Sequence, residues 1–356
     1  MNLSKDLARG NLRPQDIGIM RSAHVSIAGL VAILLAPVVS SQGTGPVWNE
    51  TPTEVDPSHL ILSAETVADQ GAIRIFDART GAFLRSFSHP AWIDGGKGRS
   101  MAVDRQNDRL VVGDDKGSGT TLYFFDCAAD HTFMRQIDID ISPSGGRSGP
   151  GLRGMAFGPD PRTADHLYVA GCWSSGSSNW LFEVDPTTGQ CESYLNLDSI
   201  PELASFEANA VSTGATPVLL GGGWRTYVSE WGSPGGRIAV FKKGLLSALE
   251  FDRVLAPVEL ANRLLNRLSV LDDASILVER CSDHDVCWSD ISQTAWLETG
   301  LMGYGGLAAI GTQTRYFGAS GTWPFYRTFS SHWPWVDVDP AAGGRFTTST
   351  QRVAIR

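Results

Sequence analysis

Short apolar runs recur along the chain, each cut off by Gly, Pro, Asp or Ser, and amphipathic helical periodicity is scarce. The nearest helical pattern, Ala248–Leu268, is interrupted by Pro257. Three segments share one pattern: Ile75-Phe76-Asp77-Ala78-Arg79-Thr80-Gly81, Glu183-Val184-Asp185-Pro186-Thr187-Thr188-Gly189 and Asp337-Val338-Asp339-Pro340-Ala341-Ala342-Gly343. Each reads as a strand ending in Asp, then a turn with Gly four places on. The Asp caps the turn, Pro presets its first corner, and Gly accepts positive φ before the next strand.

Weaker copies at Leu122–Asp126, Ile238–Lys242 and Val286–Ile291 fill the gaps, giving six units of about 50 residues. Upstream of them lie runs at 60–62, 110–112, 167–169, 218–220, 276–278 and 316–317, which read as second strands. Still earlier come shorter runs with a central small residue, at Ala102, Ala156, Ala210, Ser269 and Ala308. A fourth strand follows each turn, as at Ala82–Phe87, Thr132–Ile137 and Gln190–Leu195. Four strands per unit, repeated around an axis, predict an all-β propeller of six four-stranded blades, with seven as the alternative. The small central residues suit innermost strands, which crowd where the sheets converge. Residues 46–55 or the C-terminal Arg352–Ile355 are the candidates to complete the first blade and close the ring. Gly221–Arg237 adds a strand-like piece that leaves blade four the least regular.

The N-terminus carries a different pattern. Met20-Arg21 precedes an apolar stretch from Val25 to Ala36, then Pro37 and the small residues Ser40-Ser41. That order predicts a secretory signal cleaved after Ser41, too short to span a bilayer. Residues 1–41 are thus read as an N-terminal extension and signal, with Met20 an alternative start, and 42–356 as one propeller domain. An extracytoplasmic address follows, periplasmic or secreted, and an uncleaved anchor is the competing reading.

Export permits disulfides, and all five cysteines (127, 172, 191, 281, 287) lie in the mature part. Cys281 and Cys287 flank Ser-Asp-His-Asp-Val and are expected to staple a hairpin; Cys127, Cys172 and Cys191 cannot all pair within the chain. The net charge of −9 argues against a nucleic-acid partner.

The units resemble six-bladed propellers of the NHL and lactonase-like (TolB-like) kind, over most of the mature chain and in architecture alone. In such folds, ligands gather where the loops between second and third strands open beside the blade-to-blade connections. Of the 11 Trp residues, Trp92, Trp173, Trp180, Trp224, Trp231, Trp323, Trp333 and Trp335 map to that face. Rigid aromatic surfaces suit sugar rings, peptides or a protein partner; the plainer alternative is that long loops pack their own Trp residues. Aligned innermost strands put Arg99, Arg153, Glu207, Asn266 and Gly305 at equivalent positions around the channel mouth. Calcium-dependent lactonases of the gluconolactonase and paraoxonase type carry Glu, Asn and Asp ligands there. Two arginines disfavour a divalent cation and favour a carboxylate or phosphate, unless Arg–Glu–Arg merely plugs the channel.

These residues predict a binding module for an unidentified small-molecule, carbohydrate or protein ligand, with no cofactor and no metal. The alternative is a lyase or a lactone/ester hydrolase using His89, His284 or His332 with Glu207. No Gly-x-Ser-x-Gly, His-Glu-x-x-His or phosphate-loop motif assigns a catalytic residue.

Overall fold

A computed structural model of the chain describes residues 47–48, 60–65, 73–77, 83–90, 100–104, 106–113, 120–145, 151–158, 166–172, 179–232, 235–243, 248–271, 274–280, 285–302, 307–310, 315–320, 323–330 and 351–355. The predicted signal, the Asp337–Gly343 repeat copy and the candidates Trp92, Arg99, Trp173, Cys281, His284, His332 and Trp333 lie outside them.

The first strand, β1 (Val47–Trp48), belongs to the last sheet. Next come β2 (Leu60–Glu65), β3 (Ile73–Asp77) and β4 (Phe83–Phe87). The second sheet is β5 (Ser100–Asp104), β6 (Arg109–Gly113), β7 (Thr121–Asp126) and β8 (Thr132–Asp138). The third is β9 (Gly151–Gly158), β10 (His166–Cys172), β11 (Asn179–Val184) and β12 (Cys191–Asn196). The fourth is β13 (Ala208–Ala215), β14 (Trp224–Glu230), β15 (Ile238–Lys243) and β16 (Leu249–Leu255). The fifth is β17 (Leu265–Val270), β18 (Ile276–Arg280), β19 (Asp285–Ser289) and β20 (Trp296–Met302). Last come β21 (Leu307–Ile310), β22 (Arg315–Ser320), β23 (Trp323–Ser330) and β24 (Gln351–Ile355).

Among the described residues these strands form six four-stranded antiparallel sheets. Two are completed from the chain ends: β24 pairs with β2 as the inner edge of the first sheet, and β1 pairs with β23 as the outer edge of the sixth. The C-terminal candidate therefore supplies the first blade's innermost strand, and the N-terminal one closes the other end of the seam. Innermost strands neighbour one another in a ring, β5 against β9, β9 against β13, β13 against β17, β17 against β21, β21 against β24 and β24 against β5. The fold is a β-propeller. Hydrophobic clusters fill the wedges between successive sheets, as where Val111 and Phe124 of one meet Met155, Val169 and Phe182 of the next. Each sheet is too small to bury its own faces and relies on its neighbours.

The turn chemistry follows the repeat. Asp185 accepts hydrogen bonds from the Thr187 amide and the Thr188 hydroxyl, both at 2.7 Å, and Gly189 takes φ +80°. Asp126 caps the Ala128 amide and Asp290 the Thr294 amide in the same way.

Two expectations need correction. Val218–Leu220 is an exposed 3-10 turn, with Val218 88% and Leu219 91% accessible; the second strand of sheet four is β14. Pro217 and the positive-φ run Gly221-Gly222-Gly223 force a turn there, whereas Thr226, Tyr227 and Val228 bury against neighbours. Likewise the third strand of sheet six is β23, upstream of the Asp337 copy. The stretch with helical periodicity, Ala248–Leu268, forms β16, a 3-10 turn and the start of β17.

Candidate site at the channel mouth

Three consecutive innermost strands carry a β-bulge at their entry. In β9, Leu152 pairs with Gly171 and Gly154 with Ala170, so Arg153 is the extra residue. In β13, Ala208 pairs with Glu230 and Val211 with Val228, leaving Asn209-Ala210 opposite Ser229. In β17, Leu265 pairs with Arg280 and Arg267 with Glu279, so Asn266 is extra. A bulge tilts a side chain out of the alternating pleat, and here it does so at one end of adjacent blades. Arg153 and Asn266 are thus equivalent, as their alignment predicted. In sheet four the equivalent position falls at Asn209, two residues past Glu207.

Hydrogen bonds lock these bulges together. The Ser100 hydroxyl donates to the Arg153 carbonyl at 2.7 Å. Asn209 Nδ2 donates to the carbonyls of Leu265 and Asn266 at 2.8 and 2.9 Å. Asn266 Nδ2 in turn donates to Oε2 of the buried Glu279 at 3.2 Å. Asn209 and Glu279 escape sequence reasoning, the first because matching Ala210 instead of Ser212 to Ala156 offsets the strand by two residues, and the second because a single Glu in an apolar run resembles an edge residue.

Glu207 reaches back to Arg153 by a loose pair, Nη2 to Oε1 at 3.7 Å, with both side chains about a third exposed (31% and 38%). That is too long for a hydrogen bond. Arg153 Nε is buried and has no hydrogen-bond partner. The guanidinium is therefore under-satisfied. Trp231 adjoins Glu207: its backbone N–H donates to the Glu207 carbonyl at 2.7 Å, and the side chain is half-buried.

The other tryptophans divide. Trp180 stacks on Phe182, centroids 5.8 Å apart, and packs against the core between sheets two and three, a structural role. Trp224 opens β14 opposite Ala215, at the far end of the sheet from Trp231, so it leaves the predicted face. Its misplacement follows from the misread second strand. Trp323 opens β23 directly after a two-residue connection, so sheet six has no long loop there.

His89 does not approach the mouth. Its ring lies 4.4 Å from Phe133 and 4.9 Å from Tyr123, on strands β8 and β7 in the outer half of sheet two. Burial there lowers its pKa. The unfolded chain then binds the proton more readily, so stability is lost as pH falls below the unfolded value of about 6.5. His89→Phe should flatten that loss, which urea midpoints between pH 7.5 and 5 would measure. Cys287 sits opposite Val278 with its side chain in the core of sheets four and five.

No family model and no curated protein matches the sequence. Solved structures do match, and the following do so at low identity. A protein of unknown function from Bacteroides caccae has 12% identity and a TM-score of 0.50, covering 84% of this chain and 99% of its own. A functionally unknown protein from Desulfotomaculum acetoxidans has 11% identity and a TM-score of 0.49, covering 83% and 98%. The β-propeller domain of Cps50 (Swd1) from Myceliophteria thermophila has 11% identity and a TM-score of 0.44, covering 76% and 94%. At such identities likeness speaks to fold alone.

Proposed function

We propose that the protein is an extracytoplasmic binding propeller whose channel mouth holds a small organic carboxylate, Arg153 being the anchor and Trp231 the adjoining aromatic surface. The observation that carries the reading is the under-satisfied guanidinium: Nε is buried without a partner and Nη2 stands 3.7 Å from Glu207. An arginine so placed gains from a ligand carboxylate that accepts two parallel hydrogen bonds. The Ser100 bond to the Arg153 carbonyl supports it, because backbone fixed at the anchor position reduces the entropy lost on binding.

Calorimetry with a hexuronate and its neutral hexose tests the reading. The acid should bind and the hexose should not. Arg153→Met should weaken binding about 10–100-fold, the weight of a charge-assisted hydrogen bond. Glu207→Gln should strengthen it, since the carboxylate competes for the guanidinium. Equal binding of both sugars, or no change in Arg153→Met, would overturn it.

A further inference from the structure

On the opposite side of sheet three, away from the mouth, lies a second set of chemical groups. Three adjacent strands contribute to it: His166 opens β10, Glu183 lies near the end of β11 and Glu192 follows the first residue of β12. The ligating atoms of all three lie within 4.8 Å of one another. His166 Nδ1 is 3.5 Å from Glu183 Oε1 and 2.9 Å from Glu192 Oε2. Two donors bound about 2.1 Å from one tetrahedral ion lie about 3.4 Å apart, so the set is already near coordination spacing.

Glu183 is the anomaly. Sheets one to four each have a bulge late in the pairing of their third and fourth strands, and Glu183 holds the residue position just before it. The other three sheets place Ile75, Phe124 and Val240 there, all fully buried. Glu183 is as buried as they are, yet its Oε2 has no hydrogen-bond partner. A carboxylate in place of an apolar side chain costs stability unless something compensates. Part of the compensation is visible: Lys243 of β15, from the next sheet, sets its ammonium against Glu183 Oε1, and the Tyr168 hydroxyl lies 3.4 Å from the same oxygen. Glu192 reaches the cluster because it is the extra residue of that bulge, between Cys191 opposite Val184 and Ser193 opposite Glu183.

We propose that His166, Glu183 and Glu192 form a site for a first-row divalent cation of the Zn2+ class, which displaces Lys243 from Glu183. One imidazole and two carboxylates suit such an ion, with water completing the shell. Glu183 Oε2 is the acceptor left over for it. Lys243 is partly exposed (27%) and its flexible stem can carry the ammonium out to solvent.

Thermal unfolding of the full chain with Zn2+, with Mg2+, and after EDTA tests the site. Zn2+ should raise the midpoint, EDTA should reverse the rise, and Mg2+ should have little effect. His166→Ala and Glu192→Gln, both partly exposed and expected to keep the metal-free midpoint, should lose the shift. Lys243→Met removes the competing charge and should bind Zn2+ about tenfold more tightly. No shift in the unmodified chain, a shift that survives His166→Ala, or weaker binding in Lys243→Met would overturn the proposal.

Discussion

Gly154→Ala is expected to cost about 3 kcal/mol or more and to leave little folded protein, at the upper end of overpacking effects. Gly154 sits in β9, and a Cβ there would overlap the Asn209 carbonyl oxygen of β13 and approach the Val211 nitrogen to 2.6 Å. Both obstacles are backbone, held by the sheet ladder and by the Asn209 bonds to the next blade. They cannot step aside without opening the ring. Gly113 is the control: its Cβ would meet the Leu152 side chain at 2.8 Å, a group that can turn. Gly113→Ala should therefore cost clearly less, about 1–2 kcal/mol. Denaturant midpoints of the two variants, measured side by side, decide it; equal losses would refute the argument from backbone contact.

The same crowding explains why the fold was so legible. Ala102 and Ala210 are buried in innermost strands, where converging sheets leave room for little else. The Asp-to-Gly turns announced themselves because their chemistry is local: Asp185 bonds residues two and three ahead. What the sequence hid depends on contacts between sheets. Val218–Leu220 has the composition of a buried strand, and only Pro217 with three glycines behind it marks the turn. The alignment put Arg153 and Asn266 at equivalent positions, and both occupy the bulge; it took Glu207 in place of Asn209 because it matched Ala210 to Ala156, where the strand pairings set Ser212. Glu183 was readable and overlooked. Aligned with Ile75 in the repeat, it broke an apolar column, and the turn pattern drew attention to Asp185 instead.

Arg237→Met is expected to be the most damaging change at the mouth, lowering stability by about 3–5 kcal/mol and weakening ligand binding with it. Glu230 ends β14 fully buried, and Arg237 is what neutralises it, with Nε 2.9 Å from Oε2 and Nη2 against Oε1. The same guanidinium bonds the Ala204 carbonyl at 3.0 Å and lies over the Phe206 ring at 5.6 Å. Those residues lead directly into Glu207, and the other end of the clamped loop begins with Trp231. One side chain therefore ties the base of a loop to the strand entry that faces Arg153. Removing it strands a carboxylate in an apolar wedge, which cannot rehydrate without separating sheets. Glu230→Gln with Arg237→Met should recover much of the loss, because no charge then remains buried. If the double variant is as unstable as the single, the packing of Arg237 on Phe206 carries the effect and the ion pair does not. Hexuronate titration of the double variant separates the two roles: recovered stability with still-weakened binding means that the clamp also sets the position of Trp231 and Glu207.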